Sequence, residues 1–360
     1  MPKHTEIFHD LQHEILGGKY AGGRRLPSEA ELCLRYKVSR PTAARALREL
    51  QQIGVITRKA GSGSYLVPPR GHRQAAHTLG LFVPGLGNTE ILDPICNEIT
   101  RFAQSLDCSV LWGDAARPVT SGKDALELCQ QLVERPVAGV FFSPLELVPD
   151  RELWNKQVAA EFQRYRIPIV LLDRDLGEYP RRSEHDLIGI DNVAAGIELT
   201  EHLLSHGRER ICFIARPHFP STTDLRVLGC REALHRGGIP LKSVFAHFGD
   251  PADVHFVQQV LNRSKPNGII CSNDQTAAFL IRTLARIGKR VPEEIAVAGF
   301  DDLQYATLLS PPLTTIRQPC RDIAHSAVKA LLERIEDPSL PARQILHSHE
   351  LVVRSSTERH

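Results

Sequence analysis

No run of eighteen apolar residues occurs in the 360-residue chain, so no membrane-spanning helix is expected. The amino-terminal stretch MPKHTEIFHDLQHEIL carries charge throughout its apolar pattern and lacks the apolar core of a secretion signal. The eight cysteines stand singly at 33, 96, 108, 129, 212, 230, 271 and 320, with no CxxC pair among them. Scattered single thiols in a chain of this size point to a reducing cytoplasm rather than to zinc or disulfides. A P-loop, a GxGxxG after the first apolar strand of the body, a nucleophile elbow and a metal-type His/Cys grouping are all missing. These absences argue against an enzyme and leave no cofactor or metal to expect. The best enzymatic alternative would be acid–base work by Asp173, Asp301 and His185 or His247.

What is present is long enough for two or more domains, since single cores stop growing at about 250–300 residues. The formal charge of +2 hides an asymmetry: residues 1–70 carry a net +6 and the remainder a net −4. A compact basic head on a near-neutral body suggests a polyanion partner for the head alone.

Within that head, Ile7, Leu11, Ile15 and Leu16 share one helical face, ended by Gly17-Gly18. LPSEAELCLRY follows, with Ser28 and Glu31 spaced as a capping box and Leu32, Leu34 and Tyr36 as apolar positions. After a two-residue break, Ser39 opens a third helix that tolerates Pro41 near its start. Ala43, Ala46, Leu47 and Leu50 face inward, leaving Arg40, Thr42, Arg45 and Arg48 outward. VITRKAGSGSYLV then reads as a hairpin around Gly61-Ser62-Gly63. Helix, turn, helix and hairpin make a winged helix-turn-helix, whose last helix fits the major groove. Ser39 and Thr42 suit phosphate or base contact, and Arg40 and Arg45 can bond guanine or phosphate bidentately. Gly61 and Gly63 allow close approach of the wing, with Arg58 and Lys59 supplying charge.

GGRRLPSEAEL, VSRPTAARALREL and GSGSYLV, in that order and spacing, resemble the GntR family of bacterial regulators over about 60 residues. That family often has arginine where Ala30 and Ala44 stand here, so an operator sequence does not carry over; Arg45 and Arg48 are placed to take the second role.

Residues 69–78 read as a polar linker. Beyond it, nine near-continuous apolar runs, from TLGLFVP (78–84) to EIAVAGF (294–300), alternate with helix-length amphipathic stretches. Such runs imply parallel sheets covered on both faces, and their number implies two lobes with a cleft between. Ligands in such folds sit beyond the carboxyl ends of strands, where Asp173, Asp191-Asn192, Asn273-Asp274 and Asp301-Asp302 fall. The same residues can simply cap helices.

The words IPIVLLDRD, IGIDNVAAGIELTEHLLSHGRERICFIA, TTDLRVLGCREAL, GIICSNDQTAAFLIRTLARIGKRVPEEIAVAGFDD and SPPLTTIRQPCRDIAHSAVKALLERI resemble the LacI/GalR effector domain and periplasmic sugar-binding proteins over 79–357. Matched position by position, the resemblance implies a cleft ligand held by Asp173, Thr222, Arg226, Asn273, Asp301 and Gln318. It implies lobe one as about 79–187 with 319–346, and lobe two as about 188–318 with 347–360. The loop PGLGNTE lacks the aromatic that related sugar binders often stack on a pyranose; Phe219, Phe248 or Trp112 are the substitutes available. A purine or other metabolite is thus the alternative to a sugar. The expectation is an α/β protein: a winged helix-turn-helix at 1–68, and a two-lobed periplasmic-binding-protein-like domain of doubly wound parallel sheets at 79–360. Its expected work is that of a homodimeric, cytoplasmic repressor whose grip on double-stranded operator DNA responds to a small effector. GntR-type heads on LacI-type bodies occur in arabinose-responsive repressors. The missing secretion signal and the basic head argue against a solute-binding component of a transporter.

Overall fold

The computed structural model describes residues 3, 7, 10, 11, 14, 26–52, 56–59, 63–66, 77–84, 90–112, 119, 121–177, 179–240 and 245–358. For 48, 49, 51, 52, 57–59, 63 and 66 it describes the backbone alone. The chain divides into two compact units, Met1–Ala75 and Ala76–His360.

In the first unit, Ser28 caps helix α1 (Glu29–Tyr36) through a reciprocal pair: its hydroxyl accepts from the Glu31 N–H, and the Glu31 carboxylate accepts from the Ser28 N–H. Two orphan donors of the first turn are thereby satisfied. Lys37 ends the helix in the left-handed region (φ +51°) and turns the chain into α2 (Arg40–Gln52). Ile7, Leu11, Leu26, Leu32, Ala43, Ala46, Leu47, Leu50 and Ile56 form one apolar cluster. Leu34 is 81% exposed, because it lies on the opposite face of α1 from Leu32. Ile15, Leu16, Gly17 and Gly18 lie outside the described residues. Antiparallel strands β1 (Ile56–Lys59) and β2 (Gly63–Leu66) form the wing, with Lys59 opposite Gly63. The Leu26 N–H donates to the Ser64 carbonyl, tying the wing to the segment before α1.

The second unit holds two six-stranded sheets. The first is built from β3 (Thr78–Phe82), β4 (Ser109–Trp112), β5 (Gly139–Phe142), β6 (Ile169–Leu172), β7 (Asp186–Ile190) and β13 (Gln344–His347), in the order β13-β7-β6-β5-β3-β4. All its ladders are parallel. Helices α3 (Leu92–Ser105), α4 (Gly122–Val133), α5 (Arg151–Arg164) and α10 (Cys320–Glu336) complete lobe one. The second sheet is built from β8 (Ile211–Ala215), β9 (Ala246–Phe248), β10 (Gly268–Cys271), β11 (Ala296–Asp301), β12 (Thr314–Arg317) and β14 (Glu350–Val352), in the order β14-β12-β11-β10-β8-β9. Only β14 runs antiparallel to its neighbour in this sheet. Helices α6 (Asn192–Ser205), α7 (Ser221–Arg236), α8 (Val254–Ser264) and α9 (Asp274–Arg286) belong to lobe two.

Central strands are buried at every position, as parallel strands covered on both faces must be. The chain passes between lobes at three places: 190–192, 317–320 and 347–350. The first lies beyond the expected 187/188 boundary, because β7 stays paired with β13 through Ile190, although its pairing with β6 ends at Ile188. Lobe one is pinned at the base of β7 by the fully buried Asp186, which accepts from Arg334 of α10 and from Arg343 just before β13. Burial alone would raise the Asp186 carboxyl, but the Arg343 and Arg334 bonds outweigh it and hold the group below its ordinary value. The eight cysteines are free, and burial drives the Cys96, Cys129 and Cys230 thiols up to about 12, which leaves them inert.

Candidate functional site

At the opening of α2, the Ser39 hydroxyl is 2.9 Å from that of Thr42, one turn on, and both are accessible. Arg40 is 78% exposed and 3.6 Å from Glu29, an ion pair too open to hold it firmly. Arg45 is exposed on the same helix. The backbones of Arg58 and Lys59 lie on β1 and that of Gly63 on β2, opposite Lys59; Gly61 lies outside the described residues. A short accessible helix start beside a two-stranded wing has the shape that enters a major groove.

The second candidate is the cleft between the lobes, where strands β6, β10 and β11 end. Asp173 follows β6 with φ +68°, and Asp301 ends β11 with φ +114°. A non-glycine residue at such angles costs on the order of 1–3 kcal/mol, and such strain clusters at ligand sites. Both carboxylates are at most 7% exposed. Thr222 and Arg226 enter from the first two turns of α7, and Asn273 follows β10. Asp173, Thr222, Arg226, Asn273 and Asp301 line one cavity together with Glu146. Gln318 does not line it. It sits at the second lobe crossing and donates to Asp301 Oδ1 at 2.8 Å, so it holds the carboxylate from behind. Asn273 also caps α9, accepting from the Thr276 N–H at 2.9 Å.

Arg226 is anchored from three sides. Its Nε donates to Asn192 Oδ1 at 2.8 Å, a second nitrogen donates to the Ser272 carbonyl, and the third lies 3.8 Å from Asp301 Oδ1. The guanidinium also lies over the Phe300 ring at 4.3 Å. Burial pushes the Asp301 carboxyl up to about 7, against the opposing pull of Arg226 and Gln318. Asp274 and Asp302 are structural rather than cleft groups. Asp274 accepts from Thr315 and the Leu303 N–H, while Asp302 pairs with Arg317 and Arg354. Asp191 caps α6.

Arg174, from lobe one, went unread in the sequence. Its side chain is 3% exposed and bridges Glu146 at 2.6 Å and Asp173 at 3.0 Å. Burial would lower this guanidinium, but Glu146 and Asp173 outweigh it and raise it. Asp173 Oδ1 nevertheless has no partner and is fully buried. Arg174 and Asp173 separate the cavity, about 30 Å³, from a second of about 60 Å³ toward the lobe crossings. Ligand pockets span about 300–1,000 Å³, so the lobes are shut on their own side chains. The mouth is closed by the Leu147 N–H donating to the His218 carbonyl and by Gln275 donating to Glu90.

Of the aromatic substitutes, Phe219 lines the cleft and stacks on the half-exposed Phe248 with ring centroids 4.7 Å apart; Trp112 packs against lobe one's core instead. His247 bonds Ser264, and His185 lines a groove within lobe one, so neither shares the cleft with Asp173 and Asp301. That groove, about 790 Å³ between α5 and residues 176, 177 and 179–185, holds none of the converging strand-end groups. Among the described residues no cluster has metal-ligand character, and no helix is long and apolar enough to cross a membrane.

Comparison with known proteins gives two family matches: residues 3–66 to "Bacterial regulatory proteins, gntR family" and residues 200–357 to "Periplasmic binding protein-like domain". The arabinose metabolism transcriptional repressor of Geobacillus stearothermophilus is 26% identical over 378 residues, covering 99% of this chain and 98% of that protein. The HTH-type transcriptional repressor CytR of Escherichia coli K12 is 28% identical over 343 residues, covering 91% and 95%. The solved transcription regulator GntR from Chromobacterium violaceum is 25% identical, covers 78% of this chain and 99% of its own, and superposes with a TM-score of 0.61. The chain is therefore a DNA-binding transcriptional regulator that joins a gntR-family domain to a periplasmic binding protein-like domain.

Proposed function

We infer that this regulator is a homodimeric repressor, working in the cytoplasm, whose hold on operator DNA is set by a sugar-type effector in the cleft between its lobes. The observation that carries the reading is the convergence of Asp173, Thr222, Arg226, Asn273 and Asp301 on one inter-lobe cavity. Carboxylates accept from hydroxyls, a guanidinium donates to ring or hydroxyl oxygens, and an amide does both, which matches the mixed chemistry of a polyol. Gln318 acts through Asp301, fixing the carboxylate. On the head, Ser39, Thr42, Arg40 and Arg45 read bases and phosphates from α2, while Arg58, Lys59, Gly61 and Gly63 bring the wing to the backbone. A shut cleft must open to admit a ligand, and the ligand then stabilises whichever lobe angle it fits. Pairing of two copies through lobe one turns that angle into the spacing of two heads, so the operator is a pseudo-palindrome.

The test is selection of duplexes from a random pool by the full chain, followed by anisotropy titrations. Selected duplexes are expected to bind with an affinity that falls linearly in log–log against salt, as phosphate neutralisation releases counterions. Arg40→Ala is expected to lose about 1–3 kcal/mol of discrimination at its base pair. Failure to enrich any sequence would overturn the DNA reading, and a thermal shift with sugars that Asp173→Asn leaves intact would overturn the cleft reading.

A further inference from the structure

Arginines are not evenly matched across the cleft. Arg174 has Glu146 and Asp173, and Arg226 has Asp301. Arg216, after β8 on lobe two, lines the same cavity with only a neutral partner, the Gln275 side-chain oxygen. Gln275 in turn reaches Glu90 across the mouth at 3.4 Å, so Arg216 meets that acid only through an amide. From lobe one, Arg151 at the start of α5 lies 5.9 Å over the ring of Phe219, another lining residue. Neither Arg216 nor Arg151 makes an ion pair among the described residues, and both are half-buried. A guanidinium carries five donors, and a half-buried one spending a single donor on an amide is poised for an anion.

The opposite need sits deeper. Asp173 Oδ1 is a buried acceptor with no donor, so the ligand must present a hydroxyl there. One end of the cleft calls for a donor and the mouth calls for negative charge.

We propose that the effector is a polyhydroxylated anion, whose phosphate or carboxylate is gripped at the mouth by Arg216 of lobe two and Arg151 of lobe one while a hydroxyl meets Asp173. The proposal rests on the reading that this cleft is the effector site. It adds that the anionic group, touching both lobes, is what ties ligand binding to lobe angle.

The experiment is isothermal titration of the full-length protein with matched probes. These are D-ribose and D-ribose 5-phosphate, D-glucose, D-glucose 6-phosphate and D-gluconate, with inorganic phosphate alone as a control. At least one anionic member is expected to bind about tenfold or more tightly than its neutral parent, the size of a charge-assisted bond. Arg216→Gln is expected to bring that ratio to about one, Arg151→Gln to reduce it, and Arg216→Lys to restore part of it, each with an unchanged melting temperature. A phosphate preferred over gluconate identifies the anion as phosphate, and the reverse identifies a sugar acid. Neutral sugars binding as tightly as their anionic partners, or a preference that persists in Arg216→Gln, overturns the proposal. In that event, loss of neutral-sugar binding in Asp173→Asn shows that the cleft reading survives. Anion binding untouched by either Asp173→Asn or Arg216→Gln, or no binding by any probe, overturns both.

Discussion

Asp301 combines three conditions that rarely coincide: a positive φ, nearly complete burial and a carboxyl pushed up to about 7. Its folded value lies above the ordinary 3.8, so the native state holds this proton more tightly than the unfolded chain does. The stability it contributes is full below about pH 4 and is lost as pH rises through about 7. Asp301→Asn ends that titration. Its melting temperature is expected to gain on the wild type between pH 5 and pH 8, and an equal difference at both values would refute the assignment. Arg226→Ala has a different signature. Removing it strands Asp301 and Asn192 in a buried site, at a cost of about 3–5 kcal/mol measured by denaturant unfolding. A cost under about 1 kcal/mol would mean water already reaches the group. Asp301 was legible because strand-end positions in an α/β sheet announce where a ligand sits, whereas Arg226, inside α7, was reached only through the resemblance to the LacI/GalR effector domain. Arg174, Glu146 and Arg216 were not legible, because a charged residue after a strand reads as solvent-facing. Only closure of the facing lobe takes water from it, and no local pattern encodes that closure.

Between elements, the packing of α6 on α7 decides where Arg226 points. A Cβ on Gly229 of α7 would overlap the carbonyl oxygen of Val193, and one on Gly196 of α6 would overlap that of Arg226 itself. The two helices therefore touch backbone to backbone, and Asn192 at the start of α6 reaches Arg226 as a result. Gly229→Ala must push the helices apart. It is expected to destabilise the body by about 1–3 kcal/mol, the usual penalty of overpacking, and to weaken effector binding beyond the unfolded fraction. Calorimetric unfolding with a parallel ligand titration checks both; unchanged affinity in the folded fraction would show that α7 tolerates the shift. The central strands of both sheets were readable as apolar runs because both of their faces are covered. The end of β7 was readable too, since the apolar run stops at Ile190 and the polar pair Asp191-Asn192 follows; the 187/188 lobe boundary came from the family resemblance instead. At β13 the alternation of exposed and half-buried positions marks an edge strand, one whose partner is chosen by tertiary register and not by its own composition.

At the scale of the whole molecule, a head with net charge +6 and a body with net −4 divide the labour. On the reading proposed above, affinity for DNA belongs to the first unit and its control to the second, so the measurable quantity is the free energy that links them. If the cleft effector changes operator affinity by some factor, operator must change effector affinity by the same factor, because the two routes round the cycle share their end states. Couplings of this kind run to about 1–3 kcal/mol, or about 5–150-fold. The expectation is one number from two experiments. Operator affinity is measured by anisotropy with and without saturating effector, and effector affinity by titration calorimetry with and without a saturating operator duplex. Salt must be fixed, since the phosphate contribution of the head would otherwise masquerade as coupling. Equal factors above about fivefold show that lobe angle and head placement are one equilibrium. An effector affinity that ignores the operator would mean that the two units share a chain without sharing a conformational change.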